Sequence, residues 1–244
     1  MTGLCGAVGA TASHLDVLVD DITYNGDERA RPFSESHVEF ASVRHPRDGY
    51  ERPTETEGDG VVTRVWGSIW GDQTEAGYRR VTTDAATYCA ERYREVGLGF
   101  LDGVNGNFAG VLYDADEGNV SLFTDRMGTR PIHYYHDEIT SADESGDRPL
   151  VFSTSIQSLP LHPDVSTDFD EDYLAEYFAL KRPFGLKTPL RGVEKLHPGS
   201  VMTVDVDDGS TTTERYWTPH YEPIDLPREQ FVGQLAETMN TVVA

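Results

Sequence analysis

Lysine is nearly absent from this chain: only Lys181, Lys187 and Lys195 occur among its 244 residues. Arginine carries most of the positive charge, yet 20 basic residues face 42 acidic ones, for a formal net charge of −22. Such a surface repels polyanions, so nucleic acid and anionic membranes are excluded as partners. Heavy acid excess with scarce lysine is the composition expected of a protein adapted to high cytoplasmic salt, where counterions screen the self-repulsion. Cysteine is scarce too. Cys5 and Cys89 make no disulfide framework, and a reducing compartment is the default for so few. No apolar run approaches the ~20 residues of a membrane span, and the N-terminus lacks the basic and apolar regions of a signal peptide, so the expected location is cytoplasmic. A Walker-type phosphate loop is missing. The histidines show no metal pattern, because His133 and His136 stand three apart on a strand and point to opposite faces.

What is present describes a globular chain of mixed α and β structure. Hydrophobic residues make up 38% and aromatics 10%, enough for a packed core in one large domain or two small ones. The centre of the pattern is Val104 to Tyr135. Phe108 to Tyr113 and Val120 to Phe123 are β-prone runs separated by the turn-rich stretch from Asp114 to Asn119, which predicts a hairpin. Asp125 to Pro131 predicts a tight connection into a third, adjacent strand at Ile132 to Tyr135. Leu4 to Gly9 reads as a buried strand, His14 to Val19 as a short helix, and Val38 to Val43 as a strand in an otherwise polar, punctuated region up to residue 60. Val61 to Gly71 alternates as a strand ending in a turn. Thr82 to Tyr93 has apolar positions at helical spacing behind a capping candidate, with Cys89 on the core face. Asp137 to Arg148 reads as a solvated loop and Asp170 to Leu180 as a helix. Strands are expected at Val193 to Leu196, Ser200 to Asp205 and Thr211 to Trp217, a linker at Thr218 to Pro227, and an amphipathic helix from Arg228 to Ala244.

Several ordered motifs then carry a resemblance. Gly106-Asn107-Phe108-Ala109, Asp125-Arg126-x-Gly128-x-Arg130-Pro131-x-x-Tyr134-Tyr135 and Phe152 to Leu159 are followed by Leu174-Ala175-Glu176-Tyr177, Gly192 to Gly199 and Arg215-Tyr216-Trp217-x-Pro219. Together they resemble the glutamine-hydrolysing asparagine synthetase family, whose N-terminal half is a class II glutamine amidotransferase of the N-terminal-nucleophile hydrolase type. The fold this implies is α+β, a four-layer αββα sandwich with helices outside two mostly antiparallel sheets. Residues 1–217 would form the amidotransferase-like domain, and the helix from 228 would open the ATP-dependent synthetase domain. The Ser-Gly-Gly-x-Asp-Ser loop of that domain does not occur, so ATP and magnesium are expected only there, and no cofactor is expected in this chain.

The same resemblance nominates site residues. Cys5-Gly6-Ala7-Val8-Gly9 is similar to the family's opening Cys-Gly-Ile-x-Gly, which makes Cys5 the nucleophile. In the family that cysteine comes first in the mature chain and its own α-amino group takes the thiol proton. Here Met1 to Leu4 precede it, so a buried structural cysteine stays open as the alternative. Phe40 to Pro46 loosely matches a strand-end motif whose arginine binds the glutamine α-carboxylate. That selects Arg44, with Arg47 close by and a plain surface charge as the alternative. Asp84 matches an aspartate that binds the α-amino group and is equally a good helix cap. Gly67 matches the glycine whose backbone N–H donates to the oxyanion. The asparagine that should precede it as a second donor is Trp66, the sharpest departure from the family pattern.

The expected activity is therefore hydrolysis of glutamine to glutamate and ammonia for asparagine-type amide synthesis. Cys5 and Gly67 would be catalytic, Arg44, Gly67 and Asp84 would hold the substrate, and a synthetase domain or subunit would act as partner. The rival expectation is a silent amidotransferase-like module that docks onto a synthetase, which Trp66 and the residues before Cys5 favour.

Overall fold

The structure, a computed structural model, describes residues 2–9, 14–23, 27–46, 52–74, 76–136, 149–223 and 225–243. Arg47 and the loop expected at Asp137 to Arg148 lie outside the described residues. In chain order the elements are β1 (Gly3–Val8), α1 (Leu15–Ile22), β2 (Arg29–Glu35), β3 (Val38–Arg44), β4 (Thr54–Gly58), β5 (Val61–Thr74), β6 (Gly77–Arg80), α2 (Ala85–Val96), β7 (Val104–Asp114), β8 (Asn119–Thr124), β9 (His133–Tyr135), β10 (Leu150–Ser153), α3 (Glu171–Leu180), β11 (Val193–Lys195), β12 (Ser200–Asp205), β13 (Thr211–Arg215) and α4 (Arg228–Val243).

Two antiparallel sheets face each other. The first has the order β11-β9-β10-β1-β3-β2, and the second β13-β12-β8-β7-β5-β4 with β6 beside β5. Strand alternation sorts side chains into three apolar layers, because successive residues of a strand point to opposite faces. Leu4, Val8, Val38 and Phe40 of the first sheet meet Val62, Ala109, Val111, Leu122 and Met202 of the second in the middle layer. Cys5, Ala7, Ala41 and Val43 turn the other way, against Leu15, Leu18 and Ile22 of α1. Val61, Val65, Phe108 and Leu112 pack outward against Ala85, Ala86, Cys89 and Ala90 of α2. The result is the αββα sandwich. α2 starts where it does because Asp84 accepts from the Thr87 backbone N–H at 3.0 Å and from its hydroxyl at 2.7 Å, a side-chain cap.

The predicted hairpin is present, with Asp114 opposite Asn119. The third strand is not adjacent to it. β9 pairs with β10 and β11 in the first sheet, so the segment from Asp125 to Ile132 crosses from one sheet to the other. The buried Asp125 carboxylate shapes that crossing: it accepts from the Phe108 N–H at 3.1 Å, the Met127 N–H at 2.8 Å and the Thr129 hydroxyl at 2.5 Å. Nor does the strand from Val61 turn at Gly71. It shifts register between Ile69 and Gly71 and runs on to Thr74, a bulge in place of a turn. β2 and β4 carry Pro32, charges and threonines, and as edge strands they leave no apolar alternation to read. α3 forms as predicted but buries none of its residues, leaving Tyr177, Phe178 and Leu180 exposed.

Candidate active site

The mouth of the middle layer, at the end where β1 starts and β3 finishes, gathers the polar groups that the apolar layers exclude. Arg44 closes β3 with the parity of Phe40 and Ser42, so it belongs to the face that meets the second sheet. Ser42 confirms that direction by donating to Glu55 of β4 at 2.5 Å. Thr154, just past β10, receives the Leu4 N–H on its hydroxyl at 3.0 Å, and its own N–H donates to the Leu4 carbonyl at 2.9 Å. The crossing segment enters β9 at the end where His133 pairs with Ser153, beside the start of β1. Arg130, three residues earlier, therefore comes to the same mouth.

Gly67 and Trp66 of β5 meet Arg130 there. A Cβ at Gly67 would sit 2.0 Å from the Asn107 carbonyl oxygen and 2.8 Å from Arg130 Nε, and its φ of +121° also requires glycine. The Arg130 guanidinium stacks on Trp66, 4.3 Å from the ring centroid, and burial lowers its pKa from the ordinary value. Asn107, opposite Ser68, has the parity of Ala109 and Val111 and so faces the middle layer. Its Oδ1 is buried without a hydrogen-bond partner. Sequence reasoning did not nominate Asn107 as a candidate. It stood only inside the Gly-Asn-Phe-Ala motif, and its place one strand from Gly67 depends on the β5–β7 register.

Cys5 is elsewhere. It lies mid-strand between Ser153 and Ala41, fully buried under α1, and burial pushes its thiol up to about 12. The residue nominated as nucleophile thus points away from Arg44 and Gly67, with a peptide nitrogen in place of an amine. Cys89 is core, as its helical spacing predicts. Asp84 sits exposed at the start of α2. That helix end is held to β4 by the Ala86 N–H donating to the Thr54 hydroxyl at 2.9 Å, and Thr54 pairs with Val65, close in sequence to Gly67. Both Asp84 carboxylate oxygens are occupied by Thr87. Among the described residues no group of three His, Cys, Asp or Glu suits a metal, and no helix is long and apolar enough to cross a membrane.

Known proteins resemble the chain on the same terms. Residues 72–217, more than half of the 244, match the glutamine amidotransferase domain. Glutamine-hydrolyzing asparagine synthetase 2 of Bacillus subtilis is 23% identical over 239 residues, covering 89% of this chain and 31% of the relative. Glutamine-hydrolyzing asparagine synthetase 3 of the same organism is 22% identical over 223 residues, covering 85% of this chain and 34% of the relative. The chain spans about a third of the length of these curated relatives. Among solved structures, the allosteric regulatory enzyme of purine biosynthesis superposes with a TM-score of 0.50 at 11% identity, over 89% of this chain and 49% of that one, a likeness of fold alone. The chain belongs to the glutamine amidotransferase domain family.

Proposed function

We propose that the chain hydrolyses glutamine to glutamate and ammonia at the mouth of the middle layer, as the glutaminase part of an asparagine synthetase-like system. The observation that carries this reading is the contact of Gly67 with Asn107 and Arg130 in a glutamine amidotransferase domain, with Arg44 closing β3 toward the same end. A guanidinium at Arg44 suits the α-carboxylate, which it meets with paired hydrogen bonds. Gly67 N–H and the Asn107 carboxamide form the donor pair for the oxyanion, with Asn107 supplying the amide that Trp66 lacks. Asp84 takes the α-amino group by sharing oxygens that now cap α2. The ammonia acceptor is activated by a synthetase domain or subunit, where ATP and magnesium act. α4 presents the surface for it: Phe231, Leu235 and Met239 recur at helical spacing and are each about half exposed.

A silent docking module is the second reading, and the burial of Cys5 together with Trp66 favours it. Glutamate release from glutamine by the full chain separates the two, with Arg44→Ala as the comparison. Turnover that Arg44→Ala weakens through a raised KM supports the enzyme. Absence of turnover, with retained binding to a synthetase-type partner, supports the module.

A further inference from the structure

We propose that Thr2, once proteolytic removal of what precedes it frees its α-amino group, is the nucleophile of this site. The inference rests on the glutaminase reading above and supplies the group that reading lacks. On β1, Leu4 and Val8 belong to the middle layer while Cys5 and Ala7 belong to the α1 layer. Thr2 continues the strand by one residue beyond Gly3 and has the parity of Leu4, so it faces the mouth. It is partly exposed there, where Cys5 is sealed. The antiparallel register, Gly3 opposite Val43, carries Thr2 opposite Arg44 at the next step.

The start of β1 is held for such a task. A Cβ at Gly3 would come 2.1 Å from the Thr154 hydroxyl, so only glycine lets the chain pass Thr154. Thr154 in turn clamps Leu4 through both backbone groups. Thr2 therefore hangs from a fixed strand end beside Arg44. The sequence alone offers two frames, since Thr2-Gly3-Leu4-x-Gly6 repeats the pattern of Cys5-Gly6-Ala7-x-Gly9 three residues earlier. Side-chain parity selects the first.

The chemistry balances with water as the only co-reactant. A threonine hydroxyl is a weak nucleophile at neutral pH and needs an adjacent base, which its own free α-amino group, with a pKa near ~8, provides. The amine takes the Oγ1 proton as Oγ1 attacks the side-chain carbonyl carbon of glutamine. The C–N bond of the resulting tetrahedral species breaks, the amine returns the proton to the departing nitrogen, and ammonia leaves a γ-glutamyl ester on Thr2. Water, deprotonated by the same amine, attacks the ester carbonyl, the C–Oγ1 bond breaks as the amine returns that proton to Oγ1, and glutamate and free Thr2 are released.

The test uses the full chain in four forms: unmodified, Thr2→Ala, Thr2→Ser and Cys5→Ala. Intact mass reads Met1 removal, glutamate release reads turnover, and a glutamine-induced rise in melting temperature reads binding. A glutamine analogue with a diazoketone in place of the amide, followed by peptide mapping, locates the nucleophile. The expected result is loss of Met1 and an adduct on Thr2. Turnover should fall more than ~100-fold in Thr2→Ala with glutamine binding kept, while Thr2→Ser and Cys5→Ala stay active. An adduct on Cys5, turnover by protein that keeps Met1, or an active Thr2→Ala overturns the assignment and leaves the glutaminase reading standing. No glutamine-induced shift together with no turnover and no adduct overturns both.

Discussion

The guanidinium of Arg130 lies 4.3 Å from the centroid of the Trp66 ring, so the residue that departs most from the family pattern is held against the arginine of the crossing segment. A cation over an indole face at a partly desolvated site contributes about 1 to 2 kcal/mol. Trp66 thereby serves as a platform for Arg130. Trp66→Leu should lower stability by roughly that 1 to 2 kcal/mol in urea titrations. Asn107→Ala should reduce kcat for glutamine ~100- to 1000-fold with KM little changed, the cost of one oxyanion donor. Unchanged kcat in Asn107→Ala would remove Asn107 from the site.

Asp125 is the buried anchor of the crossing between sheets, accepting from Phe108, Met127 and Thr129 while its own backbone bonds Phe108 and Gly199. Asp125→Ala leaves several of those donors unpaired in the core. The expected cost is about 3 kcal/mol or more, read as a lower urea midpoint. A change under about 0.5 kcal/mol would mean that water or another group takes over the donors.

Both cysteines are sealed, and burial raises both thiols, Cys5 to about 12. Burial disfavours both thiolates and blocks access, so a disulfide exchange reagent should label neither residue in the native state and both after unfolding. A raised folded-state pKa adds stability that is complete below the unfolded value, ordinarily ~8.5, and is lost as pH rises toward 12. The urea midpoint should fall over that alkaline window, less steeply in Cys5→Ala. Fast stoichiometric labelling of native Cys5 at pH 8 would contradict its placement under α1.

His133 works in the acid range. Burial, with Lys195 adding repulsion, lowers its imidazole to about 4, against a contact with the Ser153 backbone that raises it. A depressed folded-state pKa gives stability that is present above the unfolded value, ~6.5, and lost as pH falls through about 4. Melting temperatures should decline from pH 6.5 to 4, and His133→Gln should flatten that decline. Equal slopes in both proteins would place the acid sensitivity elsewhere.

The charge of −22 makes a prediction about solvent. Between ~0.1 M and ~3 M KCl the screening length contracts below the spacing of surface charges, so repulsion among the carboxylates fades and the urea midpoint should rise. A midpoint that is flat or lower in high salt would reject salt adaptation.

Most local elements were legible in the sequence. The hairpin from Phe108 to Phe123, α2 behind its Asp84 cap, and the strands from Val193 onward all follow from alternation, helical spacing and turn residues. Ordered motifs likewise sufficed to identify the amidotransferase domain. Beyond that, β2 and β4 are not legible because Pro32, charges and threonines leave no apolar alternation. The strand after Asp125 lies in the other sheet from the one the sequence predicts, because a short polar connection looks the same whether it turns back or crosses over. The site depended most on tertiary structure. Cys5 and Thr2 stand at the head of equivalent small-residue frames, and only packing of one β1 face under α1 and the other against the second sheet tells them apart. A step of three residues along a strand reverses the face, so a shift that motif comparison barely registers moves a side chain from the mouth of the sandwich into its sealed outer layer.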